Sequence, residues 1–517
     1  MEPVQSVLLE IPEQPELRRR ATESSDRGPK LKPIDREQGL LRRVIVDELV
    51  GPDHKVRAIW DLTGELDLQV FYGGIRSREG HAGSSAWNPR LLLSIWLYSY
   101  SEQVSSAREI ARLMEYEPGL LWLSGLGEVN YHTLADFRSQ HESELKALLA
   151  ELLGLLSTNG MVSLELVAHD GTKVRAQAGA DTFRRQRKLE EETAKAEAMM
   201  EAIEREEGVP GNGRREAARQ RAADERQQRM KTAAEQLRKV RETKSRQADQ
   251  EKARVSLTEP EARVMKHGDG GLAPSYNVQL STDAANQVIV GVQVTQCASD
   301  SGSLAPAMDQ LHETFARYPD RVVADGGFTN HGAMVAMRQR EVDFYGSLST
   351  IEARQAAAMK AAGIDPAFKP AAFQHDREQR SLQCPAGRML AYVGQSVKRG
   401  ERYHQFRAQP EDCGHCAHQN RCCPRGQPVR LVSIRLVENA EVAAFRAKME
   451  TTEAKDVYKK RGPTAEFANC WIKEKIGLRK FRLRGLAKVT IEAIWAVLTY
   501  DVMRWVAWRK SPIAAAA

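Results

Sequence analysis

MVSLELVAHDGTKVRA, residues 161–176, reads as a β-strand that ends in an aspartate, Asp170, followed at once by a glycine. A strand needs partners, and the residues downstream supply them in a definite order. YNVQLSTD (276–283) and QVIVGVQVTQ (287–296) are two strands around the turn AAN, and SLAPAMDQLHETFARY (303–318) has the period of a helix. RVVAD (321–325) is a short buried strand ending in a second aspartate, Asp325; HGAMVAMRQR (331–340) is a helix and VDFYGS (342–347) a last strand.

Three strands, a helix, a strand, a helix and a strand is the order of a ribonuclease-H-like mixed α/β sheet, which residues 157–348 would build. Two insertions interrupt it. Residues 183–254 alternate acids and bases, broken once at GVPGNG, and are expected to form a hairpin of two long helices. Leu189, Ala196, Met200 and Ile203 in one arm and Met230, Leu237 and Val240 in the other fall near heptad spacing, enough for a narrow coiled-coil seam. Arg214–Arg254 carries more bases than acids, so the second arm suits phosphates, although a solvated face is the commoner role of such charges. Residues 349–430 form a Cys-rich insertion, and residues 431–510 return to the core with a helix that carries a glutamate. Upstream, residues 39–156 are helical throughout, as in NPRLLLSIWLYSYSEQVSSAREIARLMEYEPGLLWL, with Asn88 and Pro89 as a helix start and Ser105 or Ser106 as a second cap. SSAREIARLM followed by NYHTLADFR has the look of two helices joined by a short connection, so this domain is expected to bind DNA ends. Residues 1–38 and 511–517 are expected to be disordered tails.

The chain has 517 residues, a formal net charge of +7 and 42% hydrophobic residues, which suffices for real cores and favours an anionic partner. No signal peptide or membrane span is expected: the longest apolar run, LLLSIWLYSY, is too short, so a cytoplasmic, nucleoid-associated protein is the expectation. Seven unevenly spread cysteines argue against a disulfide framework. Cys384, Cys413, Cys416 and Cys422 have the spacing of a closed tetrahedral Zn²⁺ site, with Cys423, His415 and His418 as substitutes for the fourth ligand and free surface cysteines as the plain alternative.

Asp170 and Asp325 end the first and fourth strands, which are neighbours in such a sheet, so their carboxylates would converge at one edge. Such a pair suits two Mg²⁺ (or Mn²⁺) ions, hard cations that prefer oxygen ligands and assist in-line phosphoryl displacement. The third carboxylate comes from VYKKRGPTAEFANCWIKEKIGLRKFRLRG (457–485), where Glu466 follows Pro463 and Thr464 at an expected helix start. Around it, Tyr458 suits stacking on a base, and Arg461, Lys473, Arg479, Lys480, Arg482 and Arg484 suit phosphates. On a helix Lys473 lies 20° from the face of Glu466, whereas Glu474 lies 80° away on the solvent side, by about 100° per residue. His169 should point away from Asp170; Phe328, like Tyr458, could stack on an exposed base, although packing is the commoner role of both; and Asp300 is an outside candidate for the metal or its surroundings, with a cap on the helix that follows as the plainer expectation.

AHDGTKVRA, YNVQLSTD, VVADGGFTN, the cysteine cluster and YKKRGPTAEFANCWIK…GLRKFRLRGLAKV together resemble the DDE-type transposases of bacterial insertion sequences, over most of the chain. The resemblance implies an enzyme that binds terminal inverted repeats, cleaves phosphodiester bonds with two Mg²⁺ and joins the freed 3′-OH to target DNA, as a homodimer or larger assembly on double-stranded DNA. Asp170, Asp325 and Glu466 would be the catalytic acids. Tyr458, Arg461, Glu466 and Lys473 map onto a Tyr-Arg-Glu-Lys signature, with four residues rather than three between Arg461 and Glu466. The other readings are a nuclease on the same fold that cuts without joining, and a DNA-binding protein without catalysis.

Overall fold

A computed structural model describes residues 43–75, 77, 85–206, 213–348, 351–376, 380–398, 401–437 and 439–510. The expected tails and most of the GVPGNG break lie outside these residues. Residues 46–517 form one compact unit.

The first part is helical, as its sequence pattern requires: α1 (Lys55–Glu65), α2 (Gln69–Tyr72), α3 (Pro89–Ser101), α4 (Ala107–Leu113), α5 (Pro118–Ser124), α6 (Tyr131–Gln140) and α7 (Glu142–Thr158). Asn88 starts α3 by accepting from Arg90 N, and Pro89 sits where no amide hydrogen is needed. Ser106 precedes α4 without a side-chain cap bond. The connection between the helices of SSAREIARLM and NYHTLADFR is not short, because α5 intervenes: Glu117 and Pro118 open a helix of their own, with the Glu117 carboxylate accepting from Leu120 N.

Next come β1 (Leu166–Arg175), β2 (Phe183–Arg184), the hairpin helices α8 (Gln186–Glu206) and α9 (Gly213–Glu242), α10 (Gln247–Glu251) and β3 (Val255–Ser256). β2 and β3 pair with each other and close the base of the hairpin. Leu189, Ala196 and Ile203 on α8 meet Ala223, Met230 and Leu237 on α9, two sets at intervals of seven, and all six are buried. The sheet continues with β4 (Arg263–Lys266), β5 (Leu272–Asp283), β6 (Ile289–Thr295), α11 (Leu304–Phe315), β7 (Arg321–Ala324), α12 (His331–Gln339) and β8 (Asp343–Gly346).

β6, β5, β1, β7 and β8 lie side by side in that order, with β5 antiparallel to both β6 and β1, and β7 and β8 parallel to β1. This is the ribonuclease-H-like arrangement expected from the strand order. β5 is long enough to take β4 as well, farther along its β6 edge. One detail differs from expectation: β1 does not end at Asp170. Its ladder with β7 stops at the pair His169–Ala324, while its ladder with β5 runs on to Arg175.

α13 (Ile351–Ala362) leads into a second, antiparallel sheet of β9 (Gln374–Asp376), β10 (Ser381–Gln383), β11 (Met389–Lys398), β12 (Glu401–Arg407) and, after α14 (Pro410–Gly414) and α15 (Gln419–Cys422), β13 (Leu431–Val437). Phe373, Leu382, Leu390, Phe406 and Val432 form its small core. The chain returns through α16 (Ala440–Glu450), α17 (Thr452–Lys459), a π-helical turn (Gly462–Glu466) and α18 (Phe467–Glu474) to α19 (Leu486–Arg509).

α3 from Leu91 to Tyr100 and α19 from Ile491 to Val502 are buried on every side, which their mainly apolar sequences favour. They pack against one another: Trp495 stands 6.2 Å from both Trp96 and Tyr100, ring to ring, and α19 also covers β6. The Trp96 and Trp495 indoles donate to Leu134 O and Arg138 O, so their only polar atoms are satisfied inside the core. The helical first part and the sheet therefore share one core. No helix among the described residues is long and apolar enough to cross a membrane.

Candidate active site

Asp170 and Asp325 come side by side because β1 and β7 are parallel neighbours whose pairing ends one residue earlier. Asp170 is mostly buried, and burial pushes its carboxyl up to about 6; the nearby Asp325 and Asp300 push the same way, while the Gly171 amide and Arg461 oppose them. Gly171 N donates to Asp170 Oδ1 at 2.8 Å. Asp325 bends the chain sharply by accepting from Gly327 N at 2.7 Å, and a Cβ on Gly327 would lie 2.9 Å from that same carboxylate oxygen, so a larger residue there would displace the Asp325 side chain. Phe328, next in the turn, is buried edge-on against His169.

The third acid approaches differently from expectation. Pro463 and Thr464 do not start a helix; they lie inside a nearly continuous one. The proline cannot donate to the carbonyl four residues back, and the chain widens there to a π-turn, which takes in one extra residue. Thr464 binds Lys460 O through both its amide and its hydroxyl, at 3.3 and 2.8 Å. The widened turn lets Arg461 Nη2 reach Glu466 Oε1 at 3.2 Å. Glu466 itself is largely exposed. The residue of this helix that touches Asp170 is Asn469, whose Nδ2 donates to Asp170 Oδ2 at 3.0 Å. Lys473 is half-buried nearby: burial lowers its pKa first and Arg479 adds to this, while Asp170 acts in the other direction. Glu474 is exposed and paired with Arg479.

Tyr458 packs on the cluster of Leu166, Ala168, Val323 and Tyr345. Arg479, Lys480, Arg482 and Arg484 are exposed on a loop held beside the far end of β1, where Arg175 N donates to Arg479 O and Phe481 N to Arg175 O. Three glutamates pin this loop by its backbone. Glu492 accepts from Arg482 N and Leu483 N, Glu259 from Gly485 N and Glu261 from Leu486 N. The Arg482 side chain reaches Ser105 of the helical first part. The glutamates that hold the loop bind only its main chain, so the basic side chains stay on the surface, Arg479 paired with Glu474 and Arg482 with Ser105.

On the opposite face of β1 lies a polar row the sequence reading did not see. His169 binds Ser281 and Gln279; Lys173, Asn277 and Gln279 all donate to Asp300. Asp300 does not cap α11: its carboxylate turns inward onto the sheet, and a Cβ on Gly171 would lie 2.5 Å from its Oδ1. The hydrogen bonds and the Lys173 charge outweigh burial and hold Asp300 below the usual carboxylate range. The alternation of polar Asn277, Gln279 and Ser281 in β5 was the available signal. It would have suggested a solvent face, whereas all three are buried.

Cys384, Cys413, Cys416, Cys422 and Cys423 line one small cavity with His418. Arg388 N points at Cys384 Sγ at 3.3 Å and His418 N at Cys416 Sγ at 3.4 Å. Burial first, then the neighbouring thiols, push Cys422 up to about 11. Among the described residues, no three His, Cys, Asp or Glu side chains are grouped closely enough to hold a metal ion as they stand, at the cysteines or at the acids.

Residues 383–506 match the model of a family described as a transposase DDE domain, and residues 44–140 match a second, described as a transposase domain (DUF772). Two separate segments of the chain thus match domains described from transposases. The first match contains Glu466, Lys473 and the clustered cysteines; Asp170 and Asp325 lie outside both. Among solved structures, the piggyBac transposase synaptic complex with hairpin DNA is similar at 7% identity and a TM-score of 0.27, over 89% of this chain and 81% of that one, a likeness too slight to carry weight. No curated protein matches the chain.

Proposed function

We propose that the chain binds the terminal inverted repeats of a mobile element, cleaves the phosphodiester bond at each end and joins the freed 3′-OH to target DNA, two or more copies acting together on the DNA. The observation that carries this reading is the placement of Asp170 beside Asp325, with a helix across them that presents Asn469 and Lys473 to the same point. Oxygen donors of this kind fit a hard divalent cation, and the Asn469 Oδ1, buried with no partner, is an orphan acceptor in the same place. Asp170, Asp325 and Glu466 would hold two Mg²⁺ or Mn²⁺ ions, which when bound stabilise the entering and leaving oxygens of an in-line displacement.

The side chains supply binding and orientation. Arg461 holds Glu466 and, with Lys473, places positive charge beside the acids, so that a phosphate is attracted to carboxylates that would otherwise repel it. Arg479, Lys480, Arg482 and Arg484 extend this charge along the surface for the rest of the duplex. The test is incubation of the full chain with end-containing duplex and Mg²⁺ or Mn²⁺, scoring both nicked and joined products. Asp170→Asn, Asp325→Asn and Glu466→Gln should each abolish both products and keep end binding. Nicking without joining would leave a nuclease, and unimpaired cleavage by all three variants would refute the site.

The same reading includes a structural Zn²⁺ held by Cys384, Cys413, Cys416 and Cys422. Support comes from the two amide-to-sulfur contacts, which favour thiolates, and from the raised Cys422 thiol, which a dication would relieve. Metal analysis of untagged protein should give close to one zinc per chain; background levels would remove this part.

A further inference from the structure

We propose that Asn469 is a fourth residue of the metal site, its amide N–H fixing Asp170 and its amide oxygen turned to the cation that Asp170 takes. The inference rests on the acids being a metal site and adds a residue that neither the spacing of the acids nor the matched families assign.

Asp170 projects from a strand, and a carboxylate on a strand turns about its side-chain bonds unless both oxygens are held. Here each oxygen has one protein donor: Gly171 N at 2.8 Å on Oδ1 and Asn469 Nδ2 at 3.0 Å on Oδ2. One donor per oxygen fixes the plane of the group and still leaves each oxygen a lone pair, which is what a ligand shared with a cation needs. The other half of the amide is the telling part. Asn469 Oδ1 is buried and has no hydrogen-bond partner. A buried carbonyl oxygen without a partner is destabilising, and a native site keeps such a group where something outside the chain completes it. An amide oxygen is a ligand that Mg²⁺ and Mn²⁺ accept.

Position on the helix agrees. Asn469 lies three residues after Glu466 and four before Lys473, so the three share one face at about 3.6 residues per turn. With Glu466 drawn aside by Arg461, Asn469 is the member of that face already in contact with the sheet acids. Alanine would remove both the donor and the acceptor. Aspartate would remove the donor and keep an oxygen for the cation.

The experiment is titration of metal-free full-length protein with Mn²⁺, without DNA, following free Mn²⁺ by electron paramagnetic resonance. Asn469→Ala should bind Mn²⁺ about 10- to 100-fold more weakly, the usual effect of losing a residue that orients a metal ligand. Asn469→Asp should recover most of that loss. Thermal unfolding in EDTA and end-DNA binding in EDTA should match wild type for Asn469→Ala, whereas Asn469→Asp, which sets a second carboxylate against Asp170, should be less stable in EDTA and recover with Mn²⁺; Asn469→Ser replaces Asn469→Ala if the alanine variant unfolds. Wild-type Mn²⁺ affinity in Asn469→Ala, or Asn469→Asp no better than alanine, overturns the proposal. Asp170→Asn is the companion: if it too binds Mn²⁺ normally, the acids are not the site, whereas its loss of binding beside a normal Asn469→Ala refutes Asn469 alone.

Discussion

The acid pair should make the metal-free protein less stable than it need be, and Asp170 gives the size of the effect. Its carboxyl is raised from 3.8 to about 6, with burial as the first cause. An acid whose folded pKa is raised favours the fold only while protonated. Nothing is lost below pH 3.8, stability falls between pH 3.8 and about 6, and the full cost is present above that. Two pKa units correspond to about 3 kcal/mol. Asp170→Asn removes the charge but turns an NH₂ group toward either Gly171 N or Asn469 Nδ2, a lost hydrogen bond of about 1 kcal/mol. The variant should therefore be more stable than wild type by about 2 kcal/mol at pH 8 in EDTA, and by little or nothing at pH 4.5. Urea unfolding followed by tryptophan fluorescence at the two pH values measures this, since Trp495 and Trp96 sit in the shared core. Saturating Mn²⁺ should reverse the order at pH 8, because only wild type gains from binding. An Asp170→Asn protein less stable than wild type at pH 8, or a difference that does not change with pH, would refute the assignment of a buried, charge-stressed carboxylate.

Other outcomes can be read from the same arrangement. Glu474→Gln should leave cleavage and end binding within about twofold, because an exposed ion pair such as that with Arg479 contributes at most about 1 kcal/mol; a loss matching that of Glu466→Gln would mean the helix register is wrong. Replacing Arg221, Arg229 and Lys231 of α9 together by glutamine should flatten the slope of log affinity against log salt by roughly 2 to 3, at about 0.9 per phosphate contact. An unchanged slope assigns the hairpin to protein contacts. Trp495→Ala should cost about 3–5 kcal/mol in urea unfolding by opening the contact between α19 and α3; a cost under 1 kcal/mol would mean that the helical first part and the sheet do not share a core.

The sheet was legible in the sequence because its order depends only on which segments are strands, and in what succession. MVSLELVAHD, YNVQLSTD and RVVAD each carry a period or an apolar run that says strand without reference to the rest. Where β1 ends was not legible. A strand stops when its last partner stops, and β5 continues beside it for six residues after His169, the last paired with β7. The hairpin seam was legible from Leu189, Ala196 and Ile203, since a heptad is a local repeat. Ala223 and Ala233, small residues in the facing arm, carry too little hydrophobic signal to be noticed, yet they are buried because small side chains let helices approach.

At the candidate site, the adjacency of the two aspartates was more legible than their surroundings, and the reason is physical. An aspartate at the end of a strand followed by glycine is a local pattern. The partner of Asp170 belongs to a helix 299 residues away, and the face that helix presents depends on how it passes Pro463. Read as an ideal helix beginning at Pro463, the segment puts Glu466 foremost. In the fold, the π-turn rotates the residues after it relative to those before it, Arg461 turns back onto Glu466, and the contact with Asp170 falls to Asn469. Asp300 was read first as a helix cap for the converse reason. Its sequence neighbours, Ser299, Ser301 and Ser303, look like a helix start, and only the sheet beneath reveals Lys173, Asn277 and Gln279 turned toward it. The acid within the basic segment is explained the same way: Arg461 holds Glu466, and on the proposed reading the cations around it would receive a phosphate beside carboxylates that would otherwise repel it.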